Sequence, residues 1–348
     1  MTRRMTRHTI NKRHHAGAAV TRVSAHTFGR SLQTAPVLQP LLFVLVTLLL
    51  LSGCQSRAPL PTADMASQQV REVPFFPQED YQCGPAALAT VLGHAGVDAN
   101  ADALVDEVWL PERQGSLAME LVAAARARGL LVYPVNDTEA LFSALEADIP
   151  VLVMQNLALK RWPQWHFAVV TGYRDDGRTL ILNTDTREAE PERWNRFIRT
   201  WARAEYQGWV LSPHGTLPAW ATPLAAVQAL EELTGTAGPP AARAYWEAAA
   251  ERWPDHYLVQ FGTGNHRWQT DDTHGALTAW RKATDARPQA FAPWHNLALA
   301  YAQMGCPTAS EEAARMAADS DASAEQLDAL RSRLAATRPE REDGALCP

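Results

Sequence analysis

Apolar residues follow two rhythms along this chain. Between Pro150 and Leu211 they come in short runs, Pro150–Gln155, Phe167–Tyr173, Thr179–Asn183 and Gly208–Leu211, which predict strands. Asp175-Asp176-Gly177, between the second and third runs, predicts a hairpin turn. Ahead of them the spacing predicts helices over Gly84–Leu92, Ala101–Val108, Ser116–Arg128 and Thr138–Ala147. Pro85 suits a first helical turn, where a missing N–H costs nothing, and Gly93 and Gly129 supply stops. Val73-Pro74-Phe75-Phe76-Pro77 is too rich in proline for a central strand. Helices first and a small antiparallel sheet later describe an α+β domain over residues 70–213.

From residue 214 the pattern turns to Ala-rich helices carrying Trp. Ala242, Trp246, Ala249 and Pro254 return 34 positions later as Ala276, Trp280, Ala283 and Pro288. Gly264 stands where a small residue is wanted, and Trp294, Leu297, Ala298 and Tyr301 continue the register. The pattern resembles the tetratricopeptide repeat, whose helix pairs meet at small residues and end in proline. An all-α repeat domain is expected over residues 214–336, with a capping helix at Leu327–Leu334 and a tail at 337–348. The Gly/Pro segment Thr234–Pro240 predicts a loop that makes the first repeat degenerate.

The amino-terminal part differs again. Residues 1–53 hold seven Lys or Arg and no Asp or Glu, which leaves 25 bases against 38 acids, a net −13, in the rest. A body that acidic repels a polyphosphate backbone, so nucleic acid is not expected as a partner. The apolar run Leu41–Leu51 falls short of the ~20 residues a membrane-spanning helix needs and reads as a signal-peptide core. It leads into Leu51-Ser52-Gly53-Cys54, which resembles a bacterial lipoprotein cleavage box. That resemblance implies a signal peptide over 1–53, a lipidated Cys54 and a tether over 54–69. The expected place is therefore the cell envelope, anchored through the lipid. Gln55 lacks the acidic character that retains some lipoproteins at the inner membrane, which favours the periplasmic side of the outer one. In that compartment disulfides persist, and Cys306 and Cys347 either pair or stay free.

Cys83 opens a helix, where unpaired backbone N–H groups and the helix dipole lower a thiol pKa. Amide cleavage by cysteine also needs a base, an orienter for that base and donors for an oxyanion. Within residues 70–213 only His94 and His166 can serve as base. His94 lies eleven residues further along the same helix, about 16 Å away, which leaves His166 at the start of a strand. If the hairpin centres on Asp175–Gly177, Asp185 falls opposite or diagonal to His166, with Asn183 as the alternative orienter. Gln78, five residues before Cys83, is placed to share an oxyanion site with the Cys83 backbone N–H.

Two blocks carry a resemblance to a known family: Val73-Pro74-Phe75-Phe76-Pro77-Gln78 with Cys83-Gly84-Pro85-Ala86-Ala87-Leu88, and His166-Phe167-Ala168-Val169-Val170-Thr171-Gly172-Tyr173. They resemble the double-glycine leader peptidase-like cysteine peptidases, cysteine peptidase family 39. More narrowly, the chain is similar to envelope lipoproteins that join such a domain to tetratricopeptide repeats. The resemblance implies a papain-like α+β fold with Cys83 as nucleophile, His166 as general base and acid, Asp185 as orienter and Gln78 in the oxyanion hole. The chain departs from the family at Gln82, where an Asp is common, and at Asn183-Thr184-Asp185-Thr186, where Asp-Pro is usual.

The expected activity is hydrolysis of a peptide or related amide bond, with no metal or cofactor. The expected partners are a peptide or protein substrate, the membrane through Cys54, and a protein held by the repeats. Two other readings stand beside it: an idle peptide-binding lipoprotein that keeps the peptidase fold as a scaffold, and an amidase or acyltransferase acting on peptidoglycan stem peptides.

Overall fold

In the computed structural model, residues 66–77, 82–113, 115–337 and 347 are described. The expected signal peptide, Cys54 and Gln78 lie outside these residues. The expected tether ends before Gln69, because Gln68–Gln69 forms a short strand, β1. Three helices follow, α1 (Cys83–His94), α2 (Ala101–Val108) and α3 (Ala118–Ala127), then strand β2 (Leu131–Pro134) and helix α4 (Thr138–Glu146). The chain then runs through β3 (Val151–Asn156), β4 (Trp165–Arg174), β5 (Thr179–Thr184), β6 (Arg187–Arg193), helix α5 (Trp194–Arg203) and β7 (Gly208–Ser212). The sheet is antiparallel throughout in the order β2-β7-β3-β4-β5-β6, with β1 paired to the far end of β4.

The apolar runs become central strands because both faces of the sheet are covered. One face carries Leu152, Phe167, Val169 and Leu211 against Leu88, Leu92, Leu104 and Leu121 of α1–α3. The other carries Val153, Ala168, Val170 and Leu182 against Leu141 of α4 and Trp194, Phe197 and Trp201 of α5. Three elements of this domain escape the sequence pattern. Strand β6 reads Arg-Glu-Ala-Glu-Pro-Glu-Arg and has no apolar alternation; as an edge strand it tolerates Pro191 and needs no buried face. Strand β2 is too short to stand out, and α5 follows β6 without a break.

Beyond Ser212 the chain is helical: α6 (Pro223–Ala237), α7 (Pro239–Arg252), α8 (Tyr257–Gln269), α9 (Thr273–Ala286), α10 (Phe291–Gln303), α11 (Pro307–Ala318) and α12 (Ala324–Ala336). Helix starts recur at 223, 257 and 291 and again at 239, 273 and 307, so a helix pair repeats every 34 residues. The loop expected over Thr234–Pro240 shrinks to Gly238, whose φ of 86° makes the break that α6 and α7 share. Small residues let the pairs close: a Cβ on Gly262 would sit 2.4 Å from the Trp246 ring, and one on Gly264 would sit 2.3 Å from Trp280. Cys306 and Cys347 form a disulfide that closes a 41-residue separation.

The first helix pair packs on the sheet itself. Leu230, Tyr245 and Trp246 belong to the same buried cluster as Leu131, Tyr133 and Val210. The Tyr245 hydroxyl donates to the Ser212 carbonyl at 3.1 Å and accepts from the Leu131 N–H at 3.4 Å, while the Tyr133 hydroxyl accepts from the Thr222 N–H at 3.0 Å. Gly262→Ala is expected to destabilise the chain by about 1–3 kcal/mol, because the added methyl must displace a buried indole. Gly235→Ala, in α6 with open space around it, is expected to stabilise by about 0.5–1 kcal/mol. Denaturant unfolding of both variants reads the opposite signs.

Candidate active site

Helix α1 delivers Cys83 to the start of β4. Gly84 lets the same turn lie close to the segment that leads into α3, since a Cβ there would meet the Ser116 hydroxyl at 2.4 Å. Pro85 has no N–H, and the Ala86 N–H is already given to the Gln82 carbonyl. The backbone donors of the opening turn are therefore those of Cys83 and Gly84.

The thiol is governed by burial, which pushes its pKa up; the backbone groups of Phe167, Gly84 and Cys83 itself pull it back only in part. This corrects the expectation of a depressed thiol: the helix terminus acts in the expected direction, but loss of water outweighs it. Cys83 packs in the same apolar cluster as Phe167, the residue that follows His166.

His166 is half-buried, and burial holds its imidazole below the ordinary value; the Asp185 carboxylate raises it and Arg187 lowers it. Its Nε2 is 2.7 Å from the Thr184 hydroxyl oxygen. Among the described residues no hydrogen bond joins His166 to Cys83: Cys83 packs with Phe167 on one face of β4, whereas His166, like Ala168, belongs to the other, and a direct contact needs the ring to come round the start of the strand.

Thr184, rather than Asp185 or Asn183, meets the ring for a reason of register. Near the hairpin, Arg174 pairs with Thr179, Tyr173 with Leu180 and Gly172 with Ile181. After the irregularity, Val170 pairs with Leu182 and Val169 with Asn183, so Thr171 is one extra residue in β4. Such a slip exchanges the faces of the partner strand. Thr184 comes to the face of His166, and Asn183 and Asp185 turn to the other. Asn183 is buried and accepts the Ala189 N–H at 3.0 Å, across the second irregularity between β5 and β6. Asp185 sits in the turn with φ 56° and lies 4.0 Å from Arg187; it reaches the ring through charge alone. Nothing in periodicity marks Thr184, but counting the pairing with one bulge would have found it.

Other site residues fall into place around this pair. Gln155 is the register partner of His166 on β3, fully buried, and donates to the Thr200 hydroxyl at 2.7 Å. His94 lies at the far end of α1 with its Nε2 3.1 Å from the Asp148 carbonyl oxygen. Beside the first turn of α1 opens a cleft of about 560 Å³ lined by Phe76, Pro77, Gln82, Pro85, Ala86 and Asn100 among others, a size that takes several residues of a peptide. A half-buried thiol, an imidazole and a pair of backbone donors suit acyl transfer, which needs no cofactor.

Residues 70–209 match the family model described as Peptidase_C39 like family. This part of the chain is thus an α+β domain resembling C39 peptidases, followed by a helical region. No curated protein matches the chain. Among solved structures, a putative C39-like peptidase from Bacillus anthracis is 15% identical, covering 42% of this chain and 98% of that one, with a TM-score of 0.35. The peptidase domain of Streptococcus ComA, a bi-functional ABC transporter of a quorum-sensing pathway, is 26% identical over 40% of this chain and 98% of its own, with a TM-score of 0.34. A double glycine motif protease from an AMS/PCAT transporter, in complex with the leader peptide, is 21% identical over 42% and 97%, with a TM-score of 0.31.

The Thr184 contact has a kinetic signature. Thr184→Val is expected to lower kcat/KM about tenfold, the worth of one hydrogen bond, with Thr184→Ser restoring it. Thr184→Asp sets a carboxylate beside the imidazolium and raises the His166 pKa. The acid limb of the pH profile, which begins below the ordinary histidine value of about 6.5, is then expected to move to higher pH. Asp185→Asn removes a favourable charge and is expected to move the limb slightly lower.

Proposed function

We propose that the chain is an envelope-anchored cysteine peptidase in which Cys83 attacks a peptide or related amide carbonyl. The observation that carries this reading is the meeting of α1 and β4, where half-buried Cys83 packs in the same cluster as Phe167 and the neighbouring His166 is held by Thr184. With the proton on Nε2 directed at the Thr184 oxygen, Nδ1 is the unprotonated nitrogen. A raised thiol and a lowered imidazole favour the neutral pair at rest, so the proton moves during attack rather than before it. Sγ bonds to the carbonyl carbon as Nδ1 takes the thiol proton. The Cys83 and Gly84 N–H groups, with the Gln78 amide, stabilise the oxyanion. His166 returns the proton to the leaving amine, leaving a thioester that water resolves with the same base.

The remaining assignments belong to the same proposal. Asp185 supports the imidazolium through charge. Cys54 carries the lipid that holds the chain at the outer membrane. The helix pairs are tetratricopeptide-type repeats, supported by their 34-residue spacing, and they hold a substrate or protein partner. The catalytically idle peptide-binding scaffold has one observation in its favour, the raised thiol.

Intact mass after incubation with a thiol-directed peptidase inhibitor separates the two readings. Rapid single labelling of the wild type, lost in Cys83→Ala and slowed by two or more orders of magnitude in His166→Ala, is the expected result. Labelling at the rate of a free thiol and indifferent to His166 would transfer the assignment to the scaffold.

A further inference from the structure

Six large apolar side chains stand exposed among the described residues, and four of them cluster together: Leu157, Leu159 and Trp162 on the connection between β3 and β4, and Trp165 at the first position of β4. Leu159 is 64% exposed and Trp162 67%. Unrelated surface apolar residues are usually scattered, and a cluster of this kind marks a contact. The same connection carries Lys160 and Arg161, and no Asp or Glu occurs anywhere from Ile149 to Arg174. Arg161 lies over the Trp162 ring at 5.1 Å, and neither cation has an acidic partner among the described residues.

This tip is built, not slack. Buried Asn156 accepts the Ala158 and Gln164 N–H groups, both at 3.1 Å. The Leu157 N–H donates to the Gln164 carbonyl at 2.9 Å and the Trp162 N–H to the Leu159 carbonyl at 3.1 Å. From α5, the Arg203 guanidinium donates twice to the Asn156 carbonyl, at 3.0 and 2.8 Å. The side chains are therefore held outward before any partner arrives, and little order must be gained on contact.

We infer that the β3–β4 tip is a membrane-surface contact, inserting Leu159 and Trp162 at the headgroup level of an anionic bilayer with Lys160 and Arg161 against the phosphates. The chemistry is that of interfacial anchors: Trp and Leu beside basic residues. The contrast with the rest of the chain strengthens it, since an acidic body is repelled by anionic lipid while this acid-free tip is attracted. The shape favours a bilayer over a peptide. The tip's apolar side chains are exposed and line neither the cleft beside α1 nor the small cavity in the helical region, whereas peptide subsites are concave. Because Trp165 directly precedes His166, the contact turns the Cys83–His166 end of the sheet toward the membrane. The inference stands on its own, apart from whether Cys83 is catalytic.

The test is hydrogen exchange on the full chain in three conditions: alone, with phosphatidylcholine vesicles, and with vesicles also containing phosphatidylglycerol. Slowed exchange at the amides of 159–161 on the anionic vesicles is expected, weaker without phosphatidylglycerol, and lost in Leu159→Ser/Trp162→Ser even while the chain stays bound. Lys160→Ala/Arg161→Ala is expected to weaken the tip's engagement about fivefold per cation. Vesicle-bound chain whose tip exchanges as it does in solution would overturn the inference. So would protection of the tip by a peptide substrate without vesicles, which would make it a substrate rim.

Discussion

One extra residue in β4 decides what His166 touches. Thr171 is held out of the regular ladder by partners on both sides. Its carbonyl accepts the Val70 N–H at 2.8 Å and the Gln69 amide at 3.0 Å, and its hydroxyl accepts from the same amide at 3.1 Å and lies 3.3 Å from the Ile181 carbonyl oxygen. Gly172 lets β1 come this close, since a Cβ there would lie 2.4 Å from the Gln68 carbonyl oxygen. The short strand β1 thus fixes a bulge, the bulge fixes which face of β5 lies beside the start of β4, and the candidate site inherits the result. Without the slip a carboxylate would stand near the imidazole. With it, a hydroxyl does.

That exchange has an electrostatic consequence. A hydroxyl orients an imidazole but does not neutralise an imidazolium, and the ring and the thiol, both half-buried, are each shifted toward the uncharged form. Asp185 and Arg187 act on the ring in opposite senses from the exposed turn, where solvent screens them. On the proposed reading, the proton moves in the course of attack rather than from a standing thiolate–imidazolium pair. The protein retains backbone donors at the sulfur, and these gain weight once negative charge develops there.

Much of this was legible in the residues themselves. The Cys83 helix, the strand led by His166 and the Asp175–Gly177 hairpin follow from local rules, because each is a strong signal over a few positions. The helix pairs follow from their 34-residue spacing. Three features were not legible, each for a physical reason. Strand β6 has no apolar face, because an edge needs none. The Thr184 contact depends on Thr171 being extra, which depends on Gln69 about a hundred residues earlier. The raised thiol reflects desolvation by helices that pack from elsewhere, while the sequence displays only the helix terminus that opposes it.

The central claim is that His166 rests as a neutral base held by Thr184. Its most direct test is the ¹⁵N shifts of the His166 ring in the wild-type chain near neutral pH. The account requires a neutral imidazole with its proton on Nε2 and a bare Nδ1. A ring protonated on both nitrogens would contradict it.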